Sequence, residues 1–323
     1  MFKDSTIIKE LTRLINQLQI TSSHIVFRGK QYAVTPDTLQ ESLTRILYSE
    51  CYALKESYQS SLHYKPNYSI ENDANFMRLL SQNNHSKDRI EQGWQVKTNY
   101  PGGYVEVVRH SESHIVPLSA LKETSGQNVS VFFPKEDQHR QPTFYYVFGN
   151  QNLDTSKNLL RVYWNITSEG APVLIDSITK KLNRYNIPFL FKCLNHPQLY
   201  FRRDAAVLYL EDTLQHLLDE LLPELYGDIK EYLEEDVPLF SYRYQKGMGM
   251  AENPSSQESF GMNRMTTVAS VLANSASKKW DTDLVLQEIA TAFQQKGIDP
   301  ETTFLNKGTK KAFNKKDNHG SYI

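Results

Sequence analysis

The chain has 323 residues, 39% of them hydrophobic, and a formal net charge of −1. That is enough apolar material for one large or two ordinary domains, and too even a charge balance for a nucleic-acid footprint, so any anion site has to be local. No apolar run approaches the ~18 to 20 residues of a membrane span, and the first residues lack a signal-peptide pattern, which sets the expectation of a globular cytoplasmic protein without a membrane partner. Cys51 and Cys193 have no metal-ligand spacing, so two buried, reduced thiols are expected rather than a disulfide or a zinc site.

Along the chain, Ile7, Ile8, Leu11, Leu14, Ile15 and Leu18 fall on one face of a helix that Asp4 or Ser5 can cap. His24–Phe27 and Tyr32–Val34 flank an Arg28-Gly29-Lys30 turn and read as a hairpin. Thr35-Pro36-Asp37 opens a second helix, and a polar loop from Tyr58 to Glu71 leads to a third around Phe76–Leu80. From Gly93 the texture changes to short β-prone runs: Gln95–Lys97, Tyr104–Arg109, His114–Pro117, Val129–Phe133, Phe144–Phe148 and Leu159–Trp164. A helix from Val173 to about Asn186, a strand at Ile187–Phe191 and a strand at Val207–Leu210 follow.

Leu214 to Leu222 form a helical stripe ending before Pro223, with more helix to Leu233. Pro238–Gly261 is rich in Gly, Pro and Ser and reads as a long functional loop. Two helices, Asn263 to about Ala276 and Thr282 to Lys296, close the fold, and the Lys-rich tail after Asn306 is expected to be mobile. The fold class is therefore α+β: a mainly helical N-terminal part (residues 1–90), an antiparallel sheet with packed helices (91–305), and a tail (306–323).

The working centre is expected between the apolar runs at Ile187 and Leu210, where Lys192, His196, Arg202, Arg203 and Asp204 interrupt core strands. There is no Walker phosphate loop, GxSxG elbow, CxxC pair or HExxH helix, and HSESH at His110–His114 lies in a β-prone region, so no metal is assigned. What remains are cations at strand ends, turns and helix starts: Lys135, Arg161, Lys192, Arg202, Arg203, Arg243, Lys246 and Arg264. Any one of them is more often a surface cation, but Arg binds phosphate bidentately and a desolvated Lys becomes a base. Together they suit elimination of phosphate from phosphoserine or phosphothreonine, with Lys192 set apart because alternation points it away from apolar Phe191 and Cys193. Asp204 beside Arg202 reads as an orienter, and His196 as a loop residue or a proton donor.

Beyond these single residues, the stretch LLRVYWNITSEGAPVLIDSITKKLNRYNIPFLFKCLNHPQLYFRRDAAVLYL resembles the core of the HopA-type effector-like family. The resemblance extends through GWQVKTNYPGGYVEV, VSVFFPKE, FYYVFGN and MGMAENPSSQESFGMNR, roughly Asp73 to Leu272. It implies a lyase of class V lanthipeptide and thioviridamide-like pathways, which takes phosphate from Ser or Thr of a precursor peptide modified by a cognate kinase, leaving dehydroalanine or dehydrobutyrine. No cofactor is implied, and the alternative is a noncatalytic effector-like or scaffold protein that binds a partner. Carried onto this chain, the family-like positions are Lys135, Arg161, Tyr163, Asn165, Lys192, Arg202, Asp204, Glu252 and Arg264. The chemistry of these residues sets the expectation of Lys192 as base with Tyr163 or His196 as donor, and of phosphate held by Lys135, Arg161, Arg202 and Arg264. Asn165, Asp204 and Glu252 would orient them. Ser259, Phe260 and Gly261 match the SFGxxR pattern, and SYRYQKG around Tyr242 departs most.

Overall fold

Asp4 opens the first element, its carboxylate accepting from the N–H groups of Thr6 and Ile7, and α1 (Ser5–Asn16) buries Ile7, Leu11, Leu14 and Ile15. The computed structural model describes residues 1–59, 70, 73–110, 112–254, 258–275 and 281–309. A small antiparallel sheet follows: β1 (Leu18–Ile20), β2 (His24–Phe27) and β3 (Lys30–Ala33). Arg28 and Gly29, at φ 50° and 75°, make the two-residue turn between β2 and β3. Then α2 (Leu39–Leu47) continues into a π-helical stretch, Tyr48–Ala53, and α3 (Glu56–Gln59). Asp73 caps α4 (Ala74–Gln82). The loop expected from Tyr58 to Glu71 lies largely outside the described residues.

β4 (Arg89–Tyr100), β5 (Tyr104–Arg109), β6 (Glu112–Pro117), β7 (Leu121–Ser125) and β8 (Asn128–Phe133) form a second antiparallel sheet, in the order β6-β5-β4-β8-β7. It has its own core of Trp94, Val105, Val107, Val116, Val129, Val131 and Phe133. The polar sequence LKETS hides β7, whose pairing to β8 depends on backbone bonds that no side-chain pattern announces.

The rest of the chain runs β9 (Glu136–Gln141), β10 (Phe144–Phe148), β11 (Leu159–Trp164), α5 (Gly170–Arg184), β12 (Leu190–Leu194), β13 (Ala206–Glu211), α6 (Gln215–Ile229), β14 (Tyr242–Gln245), β15 (Met248–Glu252), α7 (Phe260–Ser275) and α8 (Thr282–Gln295). Its seven strands make one antiparallel sheet, β14-β15-β11-β13-β12-β10-β9. The fold is α+β, with helices preceding the sheets and packed on both faces of the largest. On one face Leu160, Val162, Trp164, Phe191, Cys193, Leu208 and Leu210 share a core with α5 and α6. On the other, Tyr163, Val207 and Ala251 join α1, α2, α7 and α8.

Several expectations shift. The strand expected at Ile187 begins at Leu190, because Pro188 has no N–H to give a ladder and Ile187 N–H bonds back to Leu182. α6 runs through Pro223, since burial of Leu221, Leu222, Leu225 and Ile229 outweighs the one lost hydrogen bond. The loop expected at Pro238–Gly261 contains the β14–β15 hairpin, which turns at Gly247 (φ 63°), where a Cβ would stand 2.3 Å from the Glu234 carbonyl. Asn306 and Thr309 are anchored on Glu252 and Asn253, so the tail is fixed to at least Thr309, and residues 310–323 lie outside the described residues. Cys51 and Cys193 are buried free thiols, and burial pushes each up to about 12. Among the described residues no helix is long and apolar enough to cross a membrane.

Candidate active site

Antiparallel register decides what stands beside Lys192. Tyr146 pairs with Lys192, Lys192 with Val207, Val207 with Tyr163, and Tyr163 with Gly249, so these residues cross the sheet in one row on one face. One row along, Leu190 pairs with Tyr209 and Tyr209 with Arg161. Phe191 and Cys193, flanking Lys192, are fully buried on the opposite face, as alternation requires.

The Lys192 ammonium sits 4.2 Å from the Phe144 ring centre and 5.7 Å from that of Tyr146, with Gln141 Oε1 at 3.3 Å. Arg161, 8% exposed, lies over the Tyr209 ring at 5.1 Å and donates through Nε to Asn253 Oδ1 at 2.7 Å. The turn after β12 supplies Arg202, which grips Asp204 through Nε and Nη2 at 2.8 and 2.9 Å and donates to the Tyr48 hydroxyl at 3.1 Å. The backbone holds this turn against the helical layer: Leu54 bridges Arg202, Lys55 N–H bonds Phe201 O, and Arg203 N–H bonds Ala53 O.

Among the described residues neither Lys192 nor Arg161 has a carboxylate within 4 Å; Asp204 is already committed to Arg202. Three cations thus face one carboxylate in a largely desolvated setting, an arrangement that favours an anionic guest. Burial, helped by the charges of Arg161 and Arg202 and opposed by Tyr209 and Asp204, lowers the pKa of Lys192 from that of an ordinary lysine. The Tyr163 hydroxyl is buried without a well-formed hydrogen bond, although Tyr52 and Arg161 are near enough to act on it; burial pushes this phenol up to about 12. Tyr48 and Tyr52 stack at 5.4 Å, and burial raises both.

The expected four-cation cleft does not form as drawn. Lys135 is on the other side of the sheet, capping the C-terminal end of α4 through the Ser81 and Asn84 carbonyls, 3.7 Å from Glu136. Arg264 lies close behind Tyr163 but is a strut: all three guanidinium nitrogens are bonded, to Thr303 O, Asn263 Oδ1 and Leu305 O, and burial lowers it to about 10. Glu252 accepts from Asn306 and Thr309, and Asn165 donates to Asp236 O, so both fasten chain segments. His196 caps the turn Pro197–Leu199, its Nδ1 accepting from Gln198 N–H. Arg203 is fully buried against Glu10 and Asp236, and Arg243 pairs with Glu235. What the sequence left out is the phenol wall of Tyr48, Tyr52, Tyr146 and Tyr209; the 19 tyrosines were a signal, but tyrosine at strand spacing is ordinarily half-buried sheet.

A model of the HopA1 effector protein family matches residues 135–305, more than half of the chain. The chain belongs to the HopA1 effector protein family. The match takes in Lys192, Arg161, Arg202, Asp204 and Tyr209, and stops short of Tyr48, Tyr52 and the five-stranded sheet. Two solved effector structures are similar over nearly the whole length. An effector protein from Pseudomonas syringae pv. tomato strain DC3000 has a TM-score of 0.51 and 12% identity, over 94% of this chain and 96% of that one. One from Pseudomonas syringae pv. syringae strain 61 has a TM-score of 0.50 and 12% identity, over 95% and 100%. At that identity the likeness is one of fold. No curated protein matches the chain.

In this HopA1 family member the helical layer meets the site at Gly261, in the first turn of α7, where a Cβ would stand 2.4 Å from a Tyr52 ring carbon. Gly→Ala inside a helix ordinarily gains about 0.5–1 kcal/mol. Here overpacking should outweigh that gain and leave Gly261→Ala less stable by about 1–3 kcal/mol, read as a lower urea midpoint.

Proposed function

We propose that the protein is a metal-independent phosphoserine/phosphothreonine lyase acting on a precursor peptide phosphorylated by a partner Ser/Thr kinase. The observation that carries this reading is Lys192: a half-buried amine with a lowered pKa, among cations that outnumber their carboxylates. Neutral Lys192 takes the proton from Cα of the phosphorylated residue. The Cα–H electron pair becomes the Cα=Cβ bond, the Cβ–O bond breaks, and its pair leaves on the phosphate oxygen. Arg161 and Arg202 hold the departing phosphate through charge-assisted hydrogen bonds. Asp204 and Tyr48 fix the Arg202 guanidinium. Buried Tyr163 stays a neutral phenol beside Arg161, supporting the site without adding an acid.

The test is incubation with a kinase-treated Ser/Thr peptide and mass spectrometry for loss of phosphoric acid. Since the base works only when neutral, kcat/KM should climb with pH by about tenfold per unit until the Lys192 pKa, itself below the ordinary ~10.4, is passed. A flat profile would remove a titrating amine from the mechanism. No elimination from any kinase-treated peptide would favour a protein that only binds a partner.

A further inference from the structure

We propose that Tyr209 donates the proton to the departing phosphate; this deepens the lyase reading and rests on it. Tyr209 pairs with Arg161 on β11 and Leu190 on β12, two residues from Val207, the partner of Lys192. Alternation therefore puts its ring on the same face as Lys192 and Arg161. The Arg161 guanidinium lies 5.1 Å over that ring, and the phenol is close enough to bear on the ionisation of Lys192, Tyr48, Tyr146 and Tyr163 as well.

The other candidate donors are committed or closed off. Tyr146 donates to Gln141 Oε1 at 2.8 Å, Tyr48 is tied between Arg202 and Asp204, and His196 Nδ1 is a turn cap. Tyr163 is 2% exposed beneath Phe260, and Tyr52 is 1% exposed. Tyr209 is half-buried, and its hydroxyl makes no hydrogen bond to any described residue. Among the described phenols of this face, Tyr209 combines an uncommitted hydroxyl with partial exposure, whereas the uncommitted hydroxyl of Tyr163 is closed off.

The chemistry balances within the pair. As the Cβ–O bond breaks, the Tyr209 O–H gives its proton to the bridging oxygen, so phosphate leaves as the hydrogen phosphate dianion rather than the fully ionised form. The resulting phenolate lies under Arg161, whose charge stabilises it. Lys192, now carrying the Cα proton, passes it to the phenolate, and both groups return to their starting states.

Tyr209→Phe keeps the ring under Arg161 and removes only the proton. A donor works only with its proton on, so wild-type kcat should fall at strongly alkaline pH; Tyr209→Phe should lower kcat by about 10²–10⁴-fold with KM little changed and the thermal melt unaltered, and should lack that alkaline fall. Tyr163→Phe should keep that alkaline fall. Installing 3-fluorotyrosine at position 209, which lowers the phenol pKa, should move the alkaline limb to lower pH. Wild-type kcat in Tyr209→Phe, or an alkaline limb that stays in place with fluorotyrosine, would overturn this assignment and leave the lyase reading standing. A wild type that eliminates nothing would overturn both.

Discussion

Lys192→Arg should bind phosphopeptide about as well as wild type and eliminate phosphate about 10²–10⁴-fold more slowly. Arg keeps the positive charge beside Arg161 and Arg202 that attracts the anion, yet its pKa above ~12 denies it a neutral form near pH 7. The cation–aromatic contacts at Phe144 and Tyr146 tolerate a guanidinium. Two readouts separate the roles: anisotropy of a labelled phosphopeptide for binding, and mass spectrometry for turnover. If binding and turnover fall together, Lys192 is a phosphate contact; if neither falls, it leaves the mechanism.

The second large effect is on stability. Arg202 and Asp204 are buried, with side chains 11% and 8% exposed, and form a two-bond pair beside the Tyr48 hydroxyl. Asp204→Ala withdraws that carboxylate from a desolvated guanidinium and should cost about 3–5 kcal/mol, seen as a lower urea midpoint at unchanged slope. Replacing both residues with Leu should recover much of the loss, because the penalty belongs to the stranded charge. If the double variant is instead as unstable as the two single losses added together, the pair is uncoupled and this account of the turn is wrong. Activity should vanish in both cases, since Arg202 is then misplaced or absent.

Local patterning carried the element types well. Asp4 announced the cap of α1, and the β-branched and aromatic runs became β5, β8, β10, β11 and β13. Failures occurred where long-range burial overruled a local signal. Pro223 was read as a helix end and lies inside α6, and a Gly-rich stretch read as loop pairs with β11 as the hairpin strand β15.

The site shows the same division. Sequence alone determined that Lys192 projects from one face of a strand whose neighbours Phe191 and Cys193 project from the other, because alternation is a property of the extended backbone. It also placed Asp204 in reach of Arg202, two residues away. Only the tertiary structure decided which cations share a face. Strand order and register bring Arg161 and Tyr209 into the row next to Lys192, while Lys135, as basic and as close to a strand end, is turned to the opposite face against α4. Tyr48 reaches Arg202 across 154 positions of chain because the helical layer packs on that face of the sheet. A residue's charge is written in its side chain; whether that charge meets a carboxylate, a carbonyl or an open position is set by neighbours distant in sequence, and burial makes the difference large.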